Sequence, residues 1–129
     1  MHQELKKILF IDDDPDIHTI IKFCFENTSI AVLSAQSAEE GIKKAMELQP
    51  DLILLDIMMP EMDGIEMLKA MKLIPHLSTI PVVVLTAKAQ KSEVAGYFQY
   101  GVLDVIIKPF DPAHLAERLL QIWEKSQKN

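Results

Sequence analysis

The sequence predicts an α/β fold, in which a doubly wound, five-stranded parallel sheet is covered by five helices in one domain over residues 1–129. Five short apolar runs do not alternate with polar residues, a pattern typical of parallel strands buried on both faces. Segments with helical apolar spacing separate these runs, and the connections are short. Right-handed crossovers then place helices on both faces of the sheet. The runs are Ile8–Ile11, Ile30–Leu33, Leu52–Leu55, Val82–Leu85 and Val105–Ile107.

The first two helices have recognisable N-terminal signals. Asp14 followed by Pro15 predicts an N-cap and a first-turn proline for the helix after the first strand. Ser37 and Glu40 have the spacing of a capping box for the second helix. The predicted inward positions are Ile17, Ile20, Ile21, Cys24 and Phe25 in the first helix and Ala38, Ile42, Ala45 and Leu48 in the second.

The other three helices are predicted from similar patterns. The third begins near Gly64, Ser92 is the expected cap of the fourth, and Asp111 with Pro112 begins the fifth. The predicted inward positions are Ile65, Leu68 and Met71, then Val94, Ala95 and Phe98, then Leu115, Leu119, Ile122 and Trp123.

Composition limits the classes of partner. The formal net charge is −6, which disfavours direct binding of nucleic acid or of an anionic membrane surface. No apolar run approaches the roughly 20 residues of a membrane helix, and the N-terminus lacks a secretory pattern. The single cysteine, Cys24, cannot form an intramolecular disulfide. We therefore expect a cytoplasmic protein.

Polar groups follow four of the five predicted strands. The residues are Asp12, Asp13 and Asp14 after the first strand, Asp56 after the third, Thr86 after the fourth and Lys108 after the fifth. Each has an ordinary structural explanation when taken alone; Asp14, for example, is best explained as a helix cap. The carboxyl ends of parallel strands meet at one edge, where such folds bind ligands. Four complementary strand ends therefore indicate a functional site.

The carboxylates at this edge favour a hard cation. Asp12, Asp13 and Asp56 would crowd together if the first and third strands are neighbours, since adjacent strands lie about 4.8 Å apart. Two carboxylates about 5 Å apart repel by roughly 3 kcal/mol at an effective dielectric constant near 20. An all-oxygen ligand set suits Mg²⁺. The four histidines are scattered and are expected to be surface or hydrogen-bonded residues: His2, His18, His76 and His114.

These motifs resemble the receiver domain of two-component response regulators, and the resemblance covers essentially the whole chain. The residues that carry it are Ile8–Asp14, Asp51–Gly64, Leu85–Ala87 and Lys108–Phe110. The resemblance implies a flavodoxin-like fold with strand order 2-1-3-4-5, which puts the first and third strands side by side. The chain would be a single-domain response regulator or a receiver cut from a longer protein.

The resemblance also implies roles for three aspartates, whereas the role of Asp63 is predicted from the glycine that follows it. Asp56 would accept a phosphoryl group from a histidine kinase or a phosphotransfer protein. Asp12, Asp13 and Asp56, with the main-chain carbonyl of Met58, would hold Mg²⁺. Asp63 is expected to take part in a turn. The domain would be an enzyme only in the limited sense of catalysing its own phosphorylation and dephosphorylation.

The remaining implied roles concern the switch. Lys108 would pair with the phosphoryl group, and Thr86 would bond a phosphoryl oxygen, changing the surface of the fourth helix, fifth strand and fifth helix for a downstream protein. The bond before Pro109 is expected to be cis, and the chain to be a monomer or weak homodimer. Val105 departs from the family, which usually has an aromatic residue there. Lys88, like Met58, stands where the family tunes phosphate lifetime.

Three other functions are compatible with parts of this pattern. A flavin-binding module would need a phosphate loop after the first strand, where the three aspartates would repel a phosphate. A hydrolase with an aspartate nucleophile would carry a second carboxylate at the position of Met58. A receiver-like binding module that works without phosphorylation is the main alternative, although such modules usually lose part of the acidic, aspartate and lysine set.

Overall fold

The protein contains one five-stranded sheet in which all strands are parallel, in the order β2-β1-β3-β4-β5. A computed structural model describes residues 3–58, 64–87 and 90–128. The strands are β1 (Lys7–Ile11), β2 (Ala31–Ala35), β3 (Leu52–Asp56), β4 (Val82–Thr86) and β5 (Asp104–Ile107). The helices are α1 (Pro15–Cys24), α2 (Ala38–Leu48), α3 (Gly64–Lys72), α4 (Lys91–Gln99) and α5 (Leu115–Gln127). The predicted fold class and the implied strand order are confirmed.

Two hydrophobic cores lie on opposite faces of the sheet. Side chains alternate along β1 and β3, so that Leu9 and Ile53 pack on one face and Ile8 and Leu52 on the other. The first face carries buried residues of α2, α3 and α4, and the second carries buried residues of α1 and α5. Strands β3 and β4 are buried along their whole length. This double burial is the reason why their sequences are continuously apolar.

The predicted starts of α1 and α2 are confirmed. The side chain of Asp14 accepts a hydrogen bond from the main-chain N–H of Asp16 at 2.9 Å, and Pro15 occupies the first turn. The hydroxyl of Ser37 accepts from the N–H of Glu40 at 3.1 Å. The Glu40 carboxylate accepts from Gln36 at 2.7 Å, one residue before the cap.

The predicted starts of α4 and α5 are wrong by a few residues. Ser92 lies inside α4, whose N-cap is Gln90 and has no side-chain capping bond. Helix α5 begins at Leu115, because Asp111 organises a separate turn in which its carboxylate accepts from the N–H of Ala113 at 3.0 Å. An Asp-Pro pair stabilises a turn as readily as a helix start, so the pattern did not determine the boundary.

The inward face of α4 also differs from the prediction. Phe98 is 46% exposed and Ala95 is exposed, whereas Tyr97 is only 5% exposed and is the fully buried residue of this helix. Ile20 and Leu48, predicted to face inward, are likewise exposed at the margins of α1 and α2. Consecutive helical residues differ by about 100° in direction. A short apolar stripe therefore does not determine which of two neighbouring residues is buried.

None of the helices in the described ranges is long and apolar enough to cross a membrane.

Candidate functional site

Three carboxylates converge at the carboxyl edge of the sheet. Asp12 and Asp13 directly follow β1, and Asp56 is the last residue of β3, the neighbouring strand. One carboxylate oxygen from each residue lies within 4.8 Å of the other two. The pairing of β1 with β3 brings the three predicted acidic ligands together.

Two of these carboxylates are buried and only partly hydrogen-bonded. Asp12 and Asp56 are 1% and 5% exposed, whereas Asp13 is exposed. Asp12 Oδ1 accepts from the N–H of Asp14 at 3.0 Å, and Asp56 Oδ1 accepts from the N–H of Met58 at 3.2 Å. In the described part of the chain, Asp12 Oδ2 is buried without a hydrogen-bond partner. A buried carboxylate oxygen in this state favours a cation beside it.

Lys108 supplies a positive charge from the other side of β4. Its Nζ lies 3.6 Å from Asp12 Oδ2 and 3.7 Å from Asp56 Oδ1, which is ion-pair distance for both carboxylates. The main-chain N–H of Lys108 donates to the carbonyl of Thr86 at 2.8 Å, which ties the end of β5 to the end of β4. The peptide bond between Lys108 and Pro109 is cis, as expected.

The environment raises the pKa of Asp56 from 3.8 to about 6. Burial is the largest cause, and the negative charge of Asp12 adds to it. The N–H of Met58 and the ammonium of Lys108 lower the pKa and offset part of this rise. Ionised Asp56 is therefore held at a free-energy cost, which a bound cation would reduce.

The donor set fits a hard divalent cation such as Mg²⁺. Asp12, Asp13 and Asp56 offer only carboxylate oxygens, and one of these oxygens is buried without a hydrogen-bond partner. Met58, whose carbonyl is the fourth predicted ligand, lies two residues after Asp56 and is half exposed. Asp63 and Lys88 lie outside the described residues.

Thr86 lies at the end of β4, between the strands that carry Asp56 and Lys108. It is fully buried, and in the sheet register it stands opposite Ile107. Burial raises the pKa of Tyr97 in α4, and the Thr86 side chain near its hydroxyl lowers it. The sequence pattern predicts Phe98 as the inward residue and does not indicate the buried Tyr97 beside it.

His18 is a second residue near the site that the sequence did not single out. It is 6% exposed, and its Nε2 lies 2.7 Å from the main-chain carbonyl of Asp12. Its ring meets that of Phe10 edge-on at 4.7 Å. The expectation of a hydrogen-bonded histidine holds for Nε2, whereas Nδ1 is buried without a partner among the described residues. The contact helps to position the main chain that carries the acidic pair.

Similarity to known proteins identifies the family to which this fold and acidic site belong. The model of the response regulator receiver domain family matches residues 8–120, so the chain belongs to this family. It is 35% identical over 122 residues to the alkaline phosphatase synthesis transcriptional regulatory protein PhoP of Bacillus subtilis, covering 95% of this chain and 50% of that protein. It is 36% identical over 121 residues to the transcriptional regulatory protein SrrA of Staphylococcus aureus, covering 94% and 49%. The chain thus spans about half the length of these curated relatives.

Solved structures give the same result for the fold. The chemotaxis response regulator CheY4 of Vibrio cholerae superposes with a TM-score of 0.84 at 25% identity, covering 92% of this chain and 99% of that one. A CheY-like receiver domain protein from Methanospirillum hungatei JF-1 superposes with a TM-score of 0.83 at 32% identity, covering 97% and 98%. The chain is a receiver domain of a two-component system.

Proposed function

We propose that this receiver domain is a phosphorylation-dependent switch in which Asp56 accepts a phosphoryl group with the help of Mg²⁺. The observation that carries the proposal is the position of the Asp56 carboxylate, which lies within 4.8 Å of the acidic pair after β1 and 3.7 Å from the ammonium of Lys108. A single buried carboxylate would be either protonated or neutralised by one cationic side chain. Here the carboxylates outnumber the single lysine, which leaves charge for a divalent cation to balance.

The transfer would use the residues as follows. An oxygen of ionised Asp56 attacks the phosphorus of a phosphohistidine on a partner protein. The bond from phosphorus to Asp56 forms while the bond from phosphorus to the histidine nitrogen breaks, and the nitrogen keeps the electron pair. Lys108, within ion-pair distance of Asp56, would neutralise charge on the phosphoryl oxygens. Mg²⁺, when held by Asp12, Asp13, Asp56 and Met58, supplies further charge neutralisation.

The pKa of Asp56 is compatible with this role. A pKa of about 6 leaves most of the carboxylate ionised at pH 7, in the form that can attack. A divalent cation would lower this pKa further, because it stabilises the ionised form. Lys108 contributes in the same direction before any metal binds.

The output would be a change in the surface formed by α4, β5 and α5. A phosphoryl group on Asp56 would draw the Thr86 hydroxyl and Lys108 towards itself, which favours one conformation of the neighbouring elements. This surface carries two exposed apolar side chains, Phe98 and Ile107, at 46% and 47% exposure. Their exposure supports a protein as the downstream target. The donor would be a sensor histidine kinase or a phosphotransfer protein.

The remaining parts of the proposal concern the cellular setting. The net charge of −6 supports a role without direct contact to nucleic acid or to a membrane surface. PhoP and SrrA are named as transcriptional regulatory proteins, and this chain corresponds to about half of each. We propose a cytoplasmic protein that is a monomer or a weak homodimer.

Intact-protein mass spectrometry after incubation with acetyl phosphate tests the phosphoryl transfer. We expect one labile phosphoryl adduct that requires Mg²⁺, disappears with chelator and is absent in Asp56→Asn. Asp111→Asn is the matched control, since it removes an exposed carboxylate next to the turn before α5 and should be phosphorylated like the wild type. If neither acetyl phosphate nor a panel of histidine kinases produced an adduct, the chain would be a receiver-shaped binding module that works without phosphorylation.

A further inference from the structure

His18 of α1 is bonded to the main chain on both sides of Asp13. Its side-chain Nε2 lies 2.7 Å from the carbonyl oxygen of Asp12. Its main-chain N–H donates to the carbonyl oxygen of Asp14 at 3.4 Å. Asp13 is the exposed member of the acidic cluster. It therefore lies between two residues that are both hydrogen-bonded to His18.

The carbonyl partner determines which ring nitrogen of His18 carries a hydrogen. A carbonyl oxygen only accepts hydrogen bonds, so Nε2 must be the donor. In the neutral ring Nδ1 is then an acceptor, and among the described residues it is buried without a partner. A buried acceptor without a partner costs free energy. Filling the core does not require this polar ring, and the feature that distinguishes it from an apolar side chain is the bond to Asp12.

We propose that His18 is a positioning residue of the Mg²⁺ site, which fixes the peptide unit between Asp12 and Asp13 so that both carboxylates are in place before the cation binds. The inference rests on the proposed Mg²⁺ site and adds to it a residue of α1. His18 acts through the main chain and is not a member of the acidic cluster.

The peptide unit between the two aspartates sets the direction of the chain that carries Asp13. A peptide unit is planar, so a bond that holds its carbonyl oxygen also fixes the plane that joins the two Cα atoms. Asp12 has two further bonds, from its N–H to the carbonyl of Ala35 at 3.1 Å and from the N–H of Asp14 to its Oδ1 at 3.0 Å. The side chain of Asp13 is exposed, so its placement depends on the main chain that precedes it.

His18 is held firmly enough to serve as such an anchor. Its ring meets the fully buried ring of Phe10 edge-on, with centroids 4.7 Å apart. His18 and Ile21 are the buried residues of α1, and Ile21 lies in the same core cluster as Phe10. A donor that is already packed loses little conformational freedom when the cation binds, which preserves affinity for the cation.

The variants His18→Gln and His18→Met test the proposal, because their side chains have the same length and differ in the hydrogen-bond donor. The amide nitrogen of glutamine replaces Nε2, whereas methionine has no donor. The two residues also have similar helix propensities. Mg²⁺ alone is the probe, and NMR titration of the Asp13 and Met58 amide signals measures its affinity. We expect His18→Met to bind about tenfold more weakly, the effect of removing a group that orients metal ligands, and His18→Gln to retain most of the affinity.

Two controls separate positioning from a general loss of stability. Ser37→Ala removes the capping bond of α2 and should bind Mg²⁺ like the wild type, although it is less stable. His76→Gln changes an exposed histidine and should also leave the affinity unchanged. Urea unfolding with chelator measures the stability of each metal-free variant. If Mg²⁺ affinity followed stability across all four variants, His18 would have only a structural role and the inference would be overturned.

Nitrogen-15 NMR of the histidine rings gives a second measurement that needs no variant. In the metal-free wild type Nε2 of His18 should carry a hydrogen. A ring without that hydrogen, or equal Mg²⁺ affinities for His18→Met and His18→Gln, would overturn the inference and leave the proposed function standing, as long as the wild type binds Mg²⁺. A wild type that binds no Mg²⁺ would overturn both.

Discussion

Replacement of Asp56 by Asn should stabilise the metal-free protein, because burial and the charge of Asp12 make the ionised carboxylate unfavourable. Its pKa is raised from 3.8 to about 6 in the folded state. One pKa unit corresponds to about 1.4 kcal/mol, so ionised Asp56 lowers the free energy of unfolding by about 3 kcal/mol at pH 7. An asparagine of similar shape carries no charge and avoids this penalty.

The sign of the pH dependence provides a stricter test. A carboxyl group with a raised folded-state pKa contributes stability when it is protonated, and this contribution is lost as the pH rises from about 4 to about 6. At pH 4.5 folded Asp56 is protonated, and the advantage of Asp56→Asn should fall to about 1 kcal/mol. The difference in the free energy of unfolding between the wild type and Asp56→Asn isolates the ionisation of Asp56, since all other groups titrate in both proteins.

Urea unfolding followed by the fluorescence of the single tryptophan, Trp123, measures the free energy at both pH values in the presence of chelator. Glu47→Gln is the matched control, because it removes an exposed carboxylate of α2 and should change the stability little at either pH. A variant Asp56→Asn that gained nothing at pH 7, or gained equally at pH 4.5, would show that the acidic cluster is not under electrostatic strain.

Three other predictions concern metal binding, packing and capping. Mg²⁺ at a hundred times its dissociation constant should stabilise the wild type by about 2.7 kcal/mol, and Asp13→Asn should lose most of that gain in a thermal unfolding titration; equal gains would exclude Asp13 as a ligand. Gly64→Ala would put Cβ 2.7 Å from the Cα of Ile57 and should cost about 1–3 kcal/mol. Gly96→Ala meets no atom within 4 Å and should stabilise by about 0.5–1 kcal/mol, so urea unfolding should show opposite signs for the two glycines. Ser37→Ala should cost about 1 kcal/mol in the same assay, and no loss would show that the bond to the α2 N-terminus is not stabilising.

The amino-acid sequence alone determined the succession of elements and the edge at which the site forms. Runs such as Leu52–Leu55 and Val82–Leu85 are continuously apolar because both faces of these strands are covered, and this signal is local in the chain. The start of α1 was also predictable, since Asp14 caps the main chain only two residues away. The residues Asp12, Asp56, Thr86 and Lys108 were recognised because each directly follows or ends a strand.

Only the tertiary structure determined which side chains lie close together across strands and how burial and neighbouring charges change their pKa values. The distance of 3.7 Å between Lys108 and Asp56 spans β4 and depends on the strand order. The raised pKa of Asp56 depends on burial, and burial is a property of the packed molecule.

The tertiary structure also determined which of Tyr97 and Phe98 is buried. Both residues fit an apolar helical stripe. The tyrosine ring is buried in the cluster that also contains Val105, whereas Phe98 is exposed. Local periodicity carries no information about the shape of the opposing surface, which is why the buried residue of α4 was visible only in the fold.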